Sequence, residues 1–548
     1  MKKSKLISKF LIFLMVFSMG AVSISCSEDD SDFTDDSVQE PDPDPDPDPD
    51  PDPDPTDSFA GPTYPDDYTN IASWEQRSQW NLANVHDPTV EKDGDYFYMY
   101  QTDASYGNAH EGHGHFPVRR STDLVNWEHR GAVFSEAPAW VKDSLNNMRA
   151  NMDPALPPIE NPNYGFWAPH IKKVDNKFRL YYSVVVTNPI VGSDPNTSWT
   201  ERAFIGLAET DDLASGNWED KGMVVSSIAD GEETYLRENG NDWSGYFKFN
   251  AIDPSFIVTP EGEHWLIYGS WHSGIAAVQL DPATGKPTKL DNVEDYGVRI
   301  AGRGNVNTNR WQGLEGPEII YNEETGYYYL FLAYDELSVA YNTRVVRSQN
   351  ITGPYVGMDG ASITEGAEAL PILTHPYAFN NHPGWVGFSH PSVFQDSETG
   401  EWFYSSQARL PEGVPGINVS NAVMMGHVRK IEWTEDGWPL VSPERYAGVP
   451  ETPITEESIV GTWEHITLEY RYREIQESSN VVFHEDNTIT GSITGSWSFD
   501  SDSNTLTIND REHIVANAWD WEASPRHKTL TYVGLTSSGR SVWGKKVD

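Results

Sequence analysis

The stretch DPSFIVTPEGEHWLIYGS, residues 253–270, decides the fold because it has the pattern of a β-hairpin. A proline opens a short run rich in β-branched and aromatic residues, a polar turn with glycine follows, and an aromatic strand completes the unit. Proline stands at the start of the first strand, where the loss of its N–H costs a sheet least. The stretch therefore predicts two antiparallel strands entered through Asp253 and Pro254.

The same pattern occurs five times along the chain. The other copies are DPTVEKDGDYFYMY from Asp87, APHIKKVDNKFRLYYS from Ala168, GPEIIYNEETGYYYLFLA from Gly316 and HPSVFQDSETGEWFYSSQA from His390. Successive copies are 63 to 85 residues apart, which is too long for one hairpin but sufficient for a four-stranded sheet with its loops. Five such sheets predict an all-β fold with a five-bladed β-propeller.

The residues that open the five repeats are candidates for one common site. In a propeller the first strand of each blade lines the central channel, so the repeat starts converge at one mouth. These starts carry Asp87, Trp167, Asp253, Glu315 and His390. Cleavage of a glycosidic bond requires one protonated carboxyl group and one ionised carboxylate, and a third carboxylate raises the pKa of the acid. The set predicts a glycoside hydrolase.

The segments around these residues resemble glycoside hydrolase family 43, and within it the arabinanases. They are VHDPTV, WAPHI, NAIDPSF, LEGPEI and SHPSV, together with RRSTDLVNW, IGLAET, YGSWHSGI and YNTRVVRS. The resemblance implies that Asp87 is the general base, Glu315 the general acid and Asp253 the group that tunes and orients that acid. It also implies inversion at the anomeric carbon. Glu318 is the alternative acid, but alternation along a strand from Pro317 directs it away from the mouth.

The resemblance also implies which residues hold the sugar. Trp167 matches a stacking tryptophan, with packing in the blade core as the alternative. Further sugar contacts are implied for Asn250, Ala251, Ile252, Ser270, Trp271 and His272. Arabinanases usually have an aromatic residue and then tryptophan where this chain has Trp271 and His272, so the floor of the sugar site is expected to differ. Arg344 is expected to hydrogen-bond the acid or the sugar, with a surface salt bridge as the alternative.

A metal site is expected beside the carboxylates. His390 places an imidazole at the channel axis, and the resemblance implies that the matching histidine binds Ca²⁺ that is otherwise coordinated by water, in departure from calcium's preference for oxygen ligands. A histidine that only hydrogen-bonds is the alternative. The segment HEGHGH, residues 110–115, does not predict zinc, because its first two histidines are three positions apart where the metalloprotease helix requires four. It predicts a loop over the cleft.

After residue 450 the pattern changes to short strands around polar turns, as in GTWEHITLEY and NVVFHEDNTITGSITGSWSFD. We therefore predict a propeller over residues 61–450 and a separate small β-barrel or sandwich over residues 457–548. The second unit is similar to the accessory domain of longer arabinanases. Trp497, Trp519 and Trp521 are expected to pack in its core or against the propeller, with a sugar-binding face as the alternative.

The N-terminus has the layout of an export signal over residues 1–25, with four lysines ahead of an apolar run and small residues before Cys26. Cys26 is the only cysteine and resembles the lipidation site of bacterial lipoproteins, with a signal cut elsewhere as the alternative. The acidic run after it resembles the export tag of surface lipoproteins of the Bacteroides group. Residues 26–60 contain PDPDPDPDPDPDPDP, which predicts an extended spacer or a passive tail. We predict an exported outer-membrane lipoprotein at the cell surface.

Charge and aromatic content limit the classes of partner that we expect the protein to bind. The formal net charge is −45, and 34 net negative charges remain from Gly61 onward because the first 60 residues hold 15 acids and four lysines. Such a field repels polyphosphates, which argues against nucleic acid and leaves the lipid anchor as the only expected membrane contact. The 20 Trp, 26 Tyr and 21 Phe favour a neutral polysaccharide, because sugar faces stack on aromatic rings.

The resemblance to arabinanases implies endo-hydrolysis of the 1,5-α-L-arabinofuranosidic linkages of arabinan, a neutral plant polysaccharide of pectin side chains. Two alternatives within the same family are an exo-acting α-L-arabinofuranosidase and a β-xylosidase, since the carboxylates are shared and the loops decide specificity. A non-catalytic glycan-binding surface lipoprotein is the alternative of another class, and the presence of all three carboxylates counts against it.

Overall fold

The computed structural model describes residues 59–103, 113–152, 155–187, 201–228, 247–304, 311–417, 421 and 424–547. The stretch Phe59–Asp548 forms one compact unit. The predicted export signal, Cys26 and nearly all of the acidic linker lie outside the described residues. None of the described helices is long and apolar enough to cross a membrane.

Five four-stranded antiparallel sheets form the blades of a β-propeller, which confirms the predicted architecture. Blades 1 and 2 and the helix between them comprise β1 (Thr89–Asp93), β2 (Tyr96–Tyr100), β3 (His115–Ser121), β4 (Glu128–Phe134), α1 (Ala139–Ala150), β5 (Tyr164–Val174), β6 (Lys177–Val186), β7 (Arg202–Thr210) and β8 (Glu219–Ser226). Blade 3 comprises β9 (Ser255–Val258), β10 (His264–Tyr268), β11 (Ile275–Leu280) and β12 (Val298–Ala301).

Blades 4 and 5 continue the order, with one short strand between them. They comprise β13 (Leu314–Asn322), β14 (Tyr327–Tyr334), β15 (Asn342–Ser348), β16 (Ile372–Thr374), β17 (Tyr377–Ala378), β18 (Val386–Gln395), β19 (Trp402–Arg409), β20 (Met425–Trp433) and β21 (Pro439–Val441). Short 3₁₀ helices lie at Thr69–Ile71, Trp74–Gln79, Trp271–Ser273 and Val293–Tyr296.

The predicted hairpins supply the two inner strands of each blade. In blade 3, β9 pairs with β10 so that Phe256 lies opposite Leu266, and both side chains are buried. The innermost strands β1, β5, β9, β13 and β18 contact one another in turn, and β18 contacts β1 to close the ring. The repeat starts therefore surround one channel, as the sequence predicts.

The apolar core lies between the blades rather than within them. Each pair of neighbouring blades shares one apolar cluster, including the cluster between blades 5 and 1. Tyr181 of blade 2 stacks on Phe256 of blade 3, with 5.0 Å between the ring centroids. Burying one such side chain contributes roughly 1.5–3 kcal/mol. These contacts hold the five inner strands in register around the channel.

The C-terminal unit is a closed eight-stranded barrel, in which β22 pairs with β30. Its elements are α2 (Glu456–Ile459), β22 (Gly461–Thr467), β23 (Gln476–Glu477), β24 (Ser479–Phe483), β25 (Thr488–Gly491), β26 (Gly495–Asp500), β27 (Thr505–Ile508), β28 (Arg511–Asp520), β29 (His527–Leu535) and β30 (Ser541–Lys546). β23 lies outside the barrel wall and pairs in parallel with β17 of the propeller.

The barrel tryptophans pack as the sequence predicts. Trp497 belongs to the barrel core. Trp521 is 1% exposed, and its Nε1 donates to the backbone oxygen of Arg445, 2.9 Å away on the propeller side. Trp519 packs edge-on against Phe59, with 5.8 Å between the ring centroids. These rings join the barrel to the rest of the compact unit.

Candidate active site

Every inner strand is entered through a residue with a positive φ. The φ angle is +45° at Asp87, +41° at Ala168, +55° at Asp253, +54° at Gly316 and +57° at His390, and each of these residues precedes the proline of its repeat. In β5, β13 and β18 the strand pairing shifts register at this position, which is a β-bulge. A side chain in this conformation costs about 1–3 kcal/mol, and such strain is concentrated at functional sites. The fold thus repeats one turn with positive φ five times around the channel, and four of the five turns carry a strained side-chain-bearing residue.

Asp87 is held as an ionised carboxylate. Its Oδ1 lies 3.0 Å from Nδ1 of His390, and its Oδ2 accepts a hydrogen bond from Oγ1 of Thr102 at 2.5 Å. The amide of Gln407 also lies 3.4 Å from Oδ1. Burial raises the pKa of Asp87, but the His390 charge and hydrogen bond, assisted by Thr102, outweigh it and lower the pKa to about 2.

Asp253 lies deeper in the channel, with 4% of its surface exposed. Its Oδ2 accepts a hydrogen bond from the backbone N–H of Gly316 at 3.1 Å, which ties it to the turn that carries Glu315. Burial, together with the charges of Glu315 and Asp87, raises the pKa of Asp253 to about 7 despite the opposing charge of His390. Only glycine suits position 316, because φ is positive and a Cβ there would lie 3.0 Å from the His390 ring.

Glu315 is held by two hydroxyl groups. Tyr341 donates to its Oε1 at 2.6 Å, and Ser270 donates to its Oε2 at 3.0 Å. Burial raises the pKa of Glu315, and the charge of Asp87 adds to this, while the hydrogen bonds and His390 oppose it. The channel mouth therefore holds an ionised carboxylate at Asp87 and a carboxyl group at Glu315 that retains its proton more strongly than usual. That is the division of roles that glycoside hydrolysis requires.

His390 contacts both Asp87 and Tyr341, the tyrosine that holds Glu315. Its Nδ1 faces Asp87, and the hydroxyl of Tyr341 lies 3.4 Å from the same nitrogen. Burial lowers the pKa of His390, but the charges of Asp87, Asp253 and Glu315 outweigh burial and raise it to about 9. The structure gives Nε2 no hydrogen-bond partner among the described residues.

Glu318, the competitor of Glu315, lies within the channel wall. Its carboxylate contacts Nε2 of His170 at 3.1 Å and Oγ of Ser255 at 3.0 Å, and it accepts a hydrogen bond from the backbone N–H of Val393. Through these contacts Glu318 bridges the inner strands of blades 2, 3, 4 and 5. Its hydrogen bonds are made within the protein, and it is 4% exposed, so it lies apart from the mouth as the sequence predicts.

Two of the predicted sugar contacts are buried side chains. Ala251 lies in the core between blades 2 and 3, and Ile252 packs with Val185, Ala203 and the ring of Trp167. Sugar contact at Ala251 and Ile252 stays a prediction that only their backbone groups can fulfil, because the strand entry turns both apolar side chains into the interblade core. Trp167 remains half-buried beside this cluster, and its stacking on a sugar stays a prediction. Asn250 accepts a hydrogen bond from Ser227 at 2.8 Å.

Ser270, Trp271 and His272 follow the end of β10, at the same end of the channel as the carboxylates. Ser270 bonds Glu315, so it positions the acid. Trp271 and His272 are partly exposed, and the Trp271 ring lies against the backbone of Gly313. These two side chains remain candidates for sugar contact.

Arg344 does not hydrogen-bond the predicted acid, and it forms a salt bridge with Glu368, whose side chain is 56% exposed. The Arg344 side chain is fully buried, and its hydrogen bonds go to Asn342 and to Glu368, not to Glu315. Its guanidinium also stacks over the rings of Tyr334 and Tyr470. The buried strand β15 directs this cation between the sheet and the barrel loop rather than to the acid or the surface.

Sequence reasoning missed Thr102, Tyr341 and Gln407, which hold the carboxylates through hydroxyl and amide groups. Only Tyr341 carried a signal, since it opens the segment YNTRVVRS. In the HEGHGH segment, His110 lies outside the described residues. His113 stacks on Trp74, and His115 pairs with Asp103 at 2.7 Å. No cluster of metal-ligating side chains within the described residues includes these histidines.

Comparison with known proteins gives two family matches. Residues 82–439 match the family described as glycosyl hydrolases family 43, and residues 443–544 match a C-terminal lipocalin-like domain. The extracellular endo-α-(1→5)-L-arabinanase of Thermotoga petrophila is 27% identical over 86% of this chain and 96% of the relative. The extracellular endo-α-(1→5)-L-arabinanase 2 of Bacillus subtilis is 25% identical over 86% of this chain and 95% of its own length.

A solved structure extends the similarity to the fold. The crystal structure of the endo-1,5-α-L-arabinanase from Thermotoga petrophila has a TM-score of 0.64 to this chain at 25% identity, and the match covers 86% of this chain and 99% of that one. The similarity therefore spans the propeller and the barrel together.

Proposed function

Because the chain belongs to glycosyl hydrolases family 43, we propose that it is an endo-acting glycoside hydrolase that cleaves internal 1,5-α-L-arabinofuranosidic bonds of arabinan. The observation that carries the proposal is that two carboxyl groups at one channel mouth have pKa values shifted in opposite directions, lowered to about 2 at Asp87 and raised at Glu315. The full-length similarity to proteins named endo-arabinanases supports the substrate and the endo mode of action.

In the proposed mechanism Glu315 protonates the glycosidic oxygen as the bond to the anomeric carbon breaks. Asp87 removes a proton from water, which attacks the same carbon from the opposite face in one displacement, so that the configuration inverts. Tyr341 and Ser270 fix the two oxygens of Glu315, and Asp253 tunes its pKa and the position of its turn. The products are two shorter arabinan chains, one with a new reducing end.

Product analysis tests this function. Linear arabinan, branched arabinan, xylan and aryl glycosides are each incubated with the enzyme, and the products are separated by size. We expect oligosaccharides of several lengths from linear arabinan at early times, because an endo enzyme cuts within the chain. Arabinose as the only product would contradict the endo mode, and binding without any release would contradict catalysis.

We further propose that His390 holds Ca²⁺ through Nε2, with water as the remaining ligands. Because the metal-free imidazole has a pKa raised to about 9, binding would release the proton from Nε2. Two observations fit this group: Nε2 has no partner among the described residues, and Nδ1 faces Asp87 at 3.0 Å. Metal-binding histidines commonly donate their other ring N–H to a carboxylate, which fixes the tautomer. A bound cation supplies positive charge beside Asp87 and favours its ionised form.

Removal of the cation is expected to reduce activity. After treatment with a chelator and desalting, we expect the initial rate on linear arabinan to fall and to return on addition of Ca²⁺. The His390→Ala variant serves as the matched comparison and should show no calcium response. Full activity after verified removal of calcium would contradict the proposal.

The extracellular relatives support export of this chain. We propose in addition that Cys26 carries a lipid and that the acidic Pro-Asp segment links the anchored end to the propeller. Cys26→Ser should then release the protein from membranes into the soluble fraction. Unchanged membrane association would contradict anchoring at Cys26.

A further inference from the structure

A large aromatic side chain is exposed close to the acid. Among the large apolar side chains of the described residues, only Trp311 and Val298 are exposed, at 46% and 49%. Trp311 lies four positions ahead of Glu315, in the segment that enters β13. An indole combines a large apolar face with a polar N–H, and its place on the segment that leads into a catalytic strand makes Trp311 a candidate ligand contact.

The segment that carries Trp311 also borders the candidate sugar site. A Cβ on Gly313 would lie 2.7 Å from the ring of Trp271, so backbone and indole are in direct contact there. The backbone oxygen of Gly313 accepts a hydrogen bond from the N–H of Asp335 at 3.0 Å. Gly313, which stands between Trp311 and Glu315 in the sequence, therefore lies directly against Trp271.

The C-terminal barrel supports this segment with the loop between β22 and β23. The hydroxyl of Tyr470 accepts a hydrogen bond from Nε2 of Gln312 at 2.7 Å. The Tyr470 ring lies under the Arg344 guanidinium, 4.5 Å from its centre.

A second contact of the same loop lies on the turn after β14. Nε of Arg473 donates to Glu336 at 2.7 Å. The barrel loop thus rests on both chain segments that flank Glu315 in blade 4.

We propose that Trp311 is a stacking platform for an arabinan residue distant from the bond that is cleaved, and that the barrel loop holds this platform in place through Tyr470. The inference rests on the proposed endo-arabinanase function. An indole presents a flat apolar face that matches the C–H face of a furanose ring. An endo enzyme binds a chain that continues beyond the reacting sugars, so a platform at the rim contributes to long substrates more than to short ones. The barrel then affects the preferred chain length without supplying a catalytic group.

The test compares long and short substrates in the full-length enzyme. For Trp311→Ala we expect kcat/KM on linear arabinan to fall about tenfold, the equivalent of one aromatic stacking contact, mainly through KM. The fall on the shortest arabino-oligosaccharide that the wild type cleaves should be several-fold smaller. Trp311→Phe should recover most of the activity on the polymer because it keeps an aromatic face.

Two further variants test whether Tyr470 holds the Trp311 segment in place, and whether loss of any exposed apolar side chain would lower activity. Tyr470→Phe removes only the hydroxyl group and should lower kcat/KM on the polymer about threefold, the equivalent of one hydrogen bond, with the same preference for long substrates. Val298→Ala removes the other exposed apolar side chain, at the first residue of β12. It should leave kcat/KM on the long and on the short substrate unchanged.

The outcomes distinguish this inference from the proposed function. Equal losses of Trp311→Ala on long and short substrates, or no loss on the polymer, would overturn the platform while the endo-arabinanase function stands. Absence of arabinan cleavage by the wild-type enzyme would instead overturn the proposed function and the platform with it.

Discussion

Replacement of Glu315 by Gln is expected to lower kcat on linear arabinan by a factor on the order of 10³ to 10⁴, the usual contribution of a positioned general acid together with the charge placement around it. The amide keeps the size of the side chain and still faces Tyr341 and Ser270, but it has no proton to give to the leaving oxygen. The measurement is the rate of reducing-end release at saturating substrate.

A substrate with a good leaving group identifies the role. In an arabino-oligosaccharide with a nitrophenyl group at its reducing end, the nitrophenolate leaves without being protonated. Glu315→Gln should therefore lose much less activity on this substrate than on arabinan. Asp87→Asn is the matched control, because loss of the base should affect both substrates equally. Equal losses for Glu315→Gln on both substrates would contradict its role as the acid.

Glu318→Gln distinguishes the two candidate acids. Glu318 bonds His170, Ser255 and Val393 within the channel wall, so this change should lower thermal stability and leave the kcat of the folded enzyme within a few-fold of wild type. Near-normal activity of Glu315→Gln with loss of turnover in Glu318→Gln would reverse the assignment.

The fold was predictable because its repeat is local. Five hairpins with proline at the first strand are visible in the chain, and ring closure then brings Asp87, Asp253 and Glu315 together without any long-range information. What the sequence does not show is the positive φ at each entry. A residue before proline normally favours extended backbone, so Ala168 and His390 adopt this conformation only because the packed ring imposes it.

The same limit applies at the sugar site. The segment that leads into Asp253 matched a sugar-binding pattern, but the direction of the Ala251 and Ile252 side chains depends on the strand entry and on the core of blade 2. For Arg344 the sequence left the acid, the sugar and a salt bridge open, because no local pattern reveals Glu368 or the barrel loop. Tyr341 holds Glu315 from the start of another strand, a pairing that depends on tertiary structure alone.

A buried ion cluster joins the barrel to the propeller. The side chain of Lys545 on β30 is fully buried, and its Nζ lies 2.6 Å from Glu444, 2.8 Å from Asp520 and 2.6 Å from Glu522. Glu444 follows β21 of the propeller. Asp520 is the last residue of β28 in the barrel, and Glu522 lies just after it. These three carboxylates are the one group within the described residues with the spacing of a metal site, and the ammonium lies among them.

Lys545→Met is expected to lower the free energy of unfolding by about 3–5 kcal/mol, because it removes the cation and leaves buried carboxylates unpaired. Lys546→Met, on the next residue of the same strand, is the matched control and should cost less than about 1 kcal/mol, since Lys546 is only partly buried. Denaturant unfolding followed by tryptophan fluorescence measures both. Equal stability of the two variants would contradict a structural role for the cluster.

The loss of unfolding free energy in Lys545→Met should depend on pH in a defined direction. Burial and the charge of Glu522 already raise the pKa of Glu444 well above its usual value, and loss of the Lys545 ammonium, which lowers it, raises the pKa of Glu444 further. A group whose pKa is raised on folding contributes stability below its unfolded pKa of about 4 and loses it as pH rises through the folded value. The stability difference from wild type should therefore grow from pH 5 to pH 8. Adding Glu444→Gln to Lys545→Met removes one unpaired charge, and it should restore part of the stability at pH 8 and flatten this pH dependence.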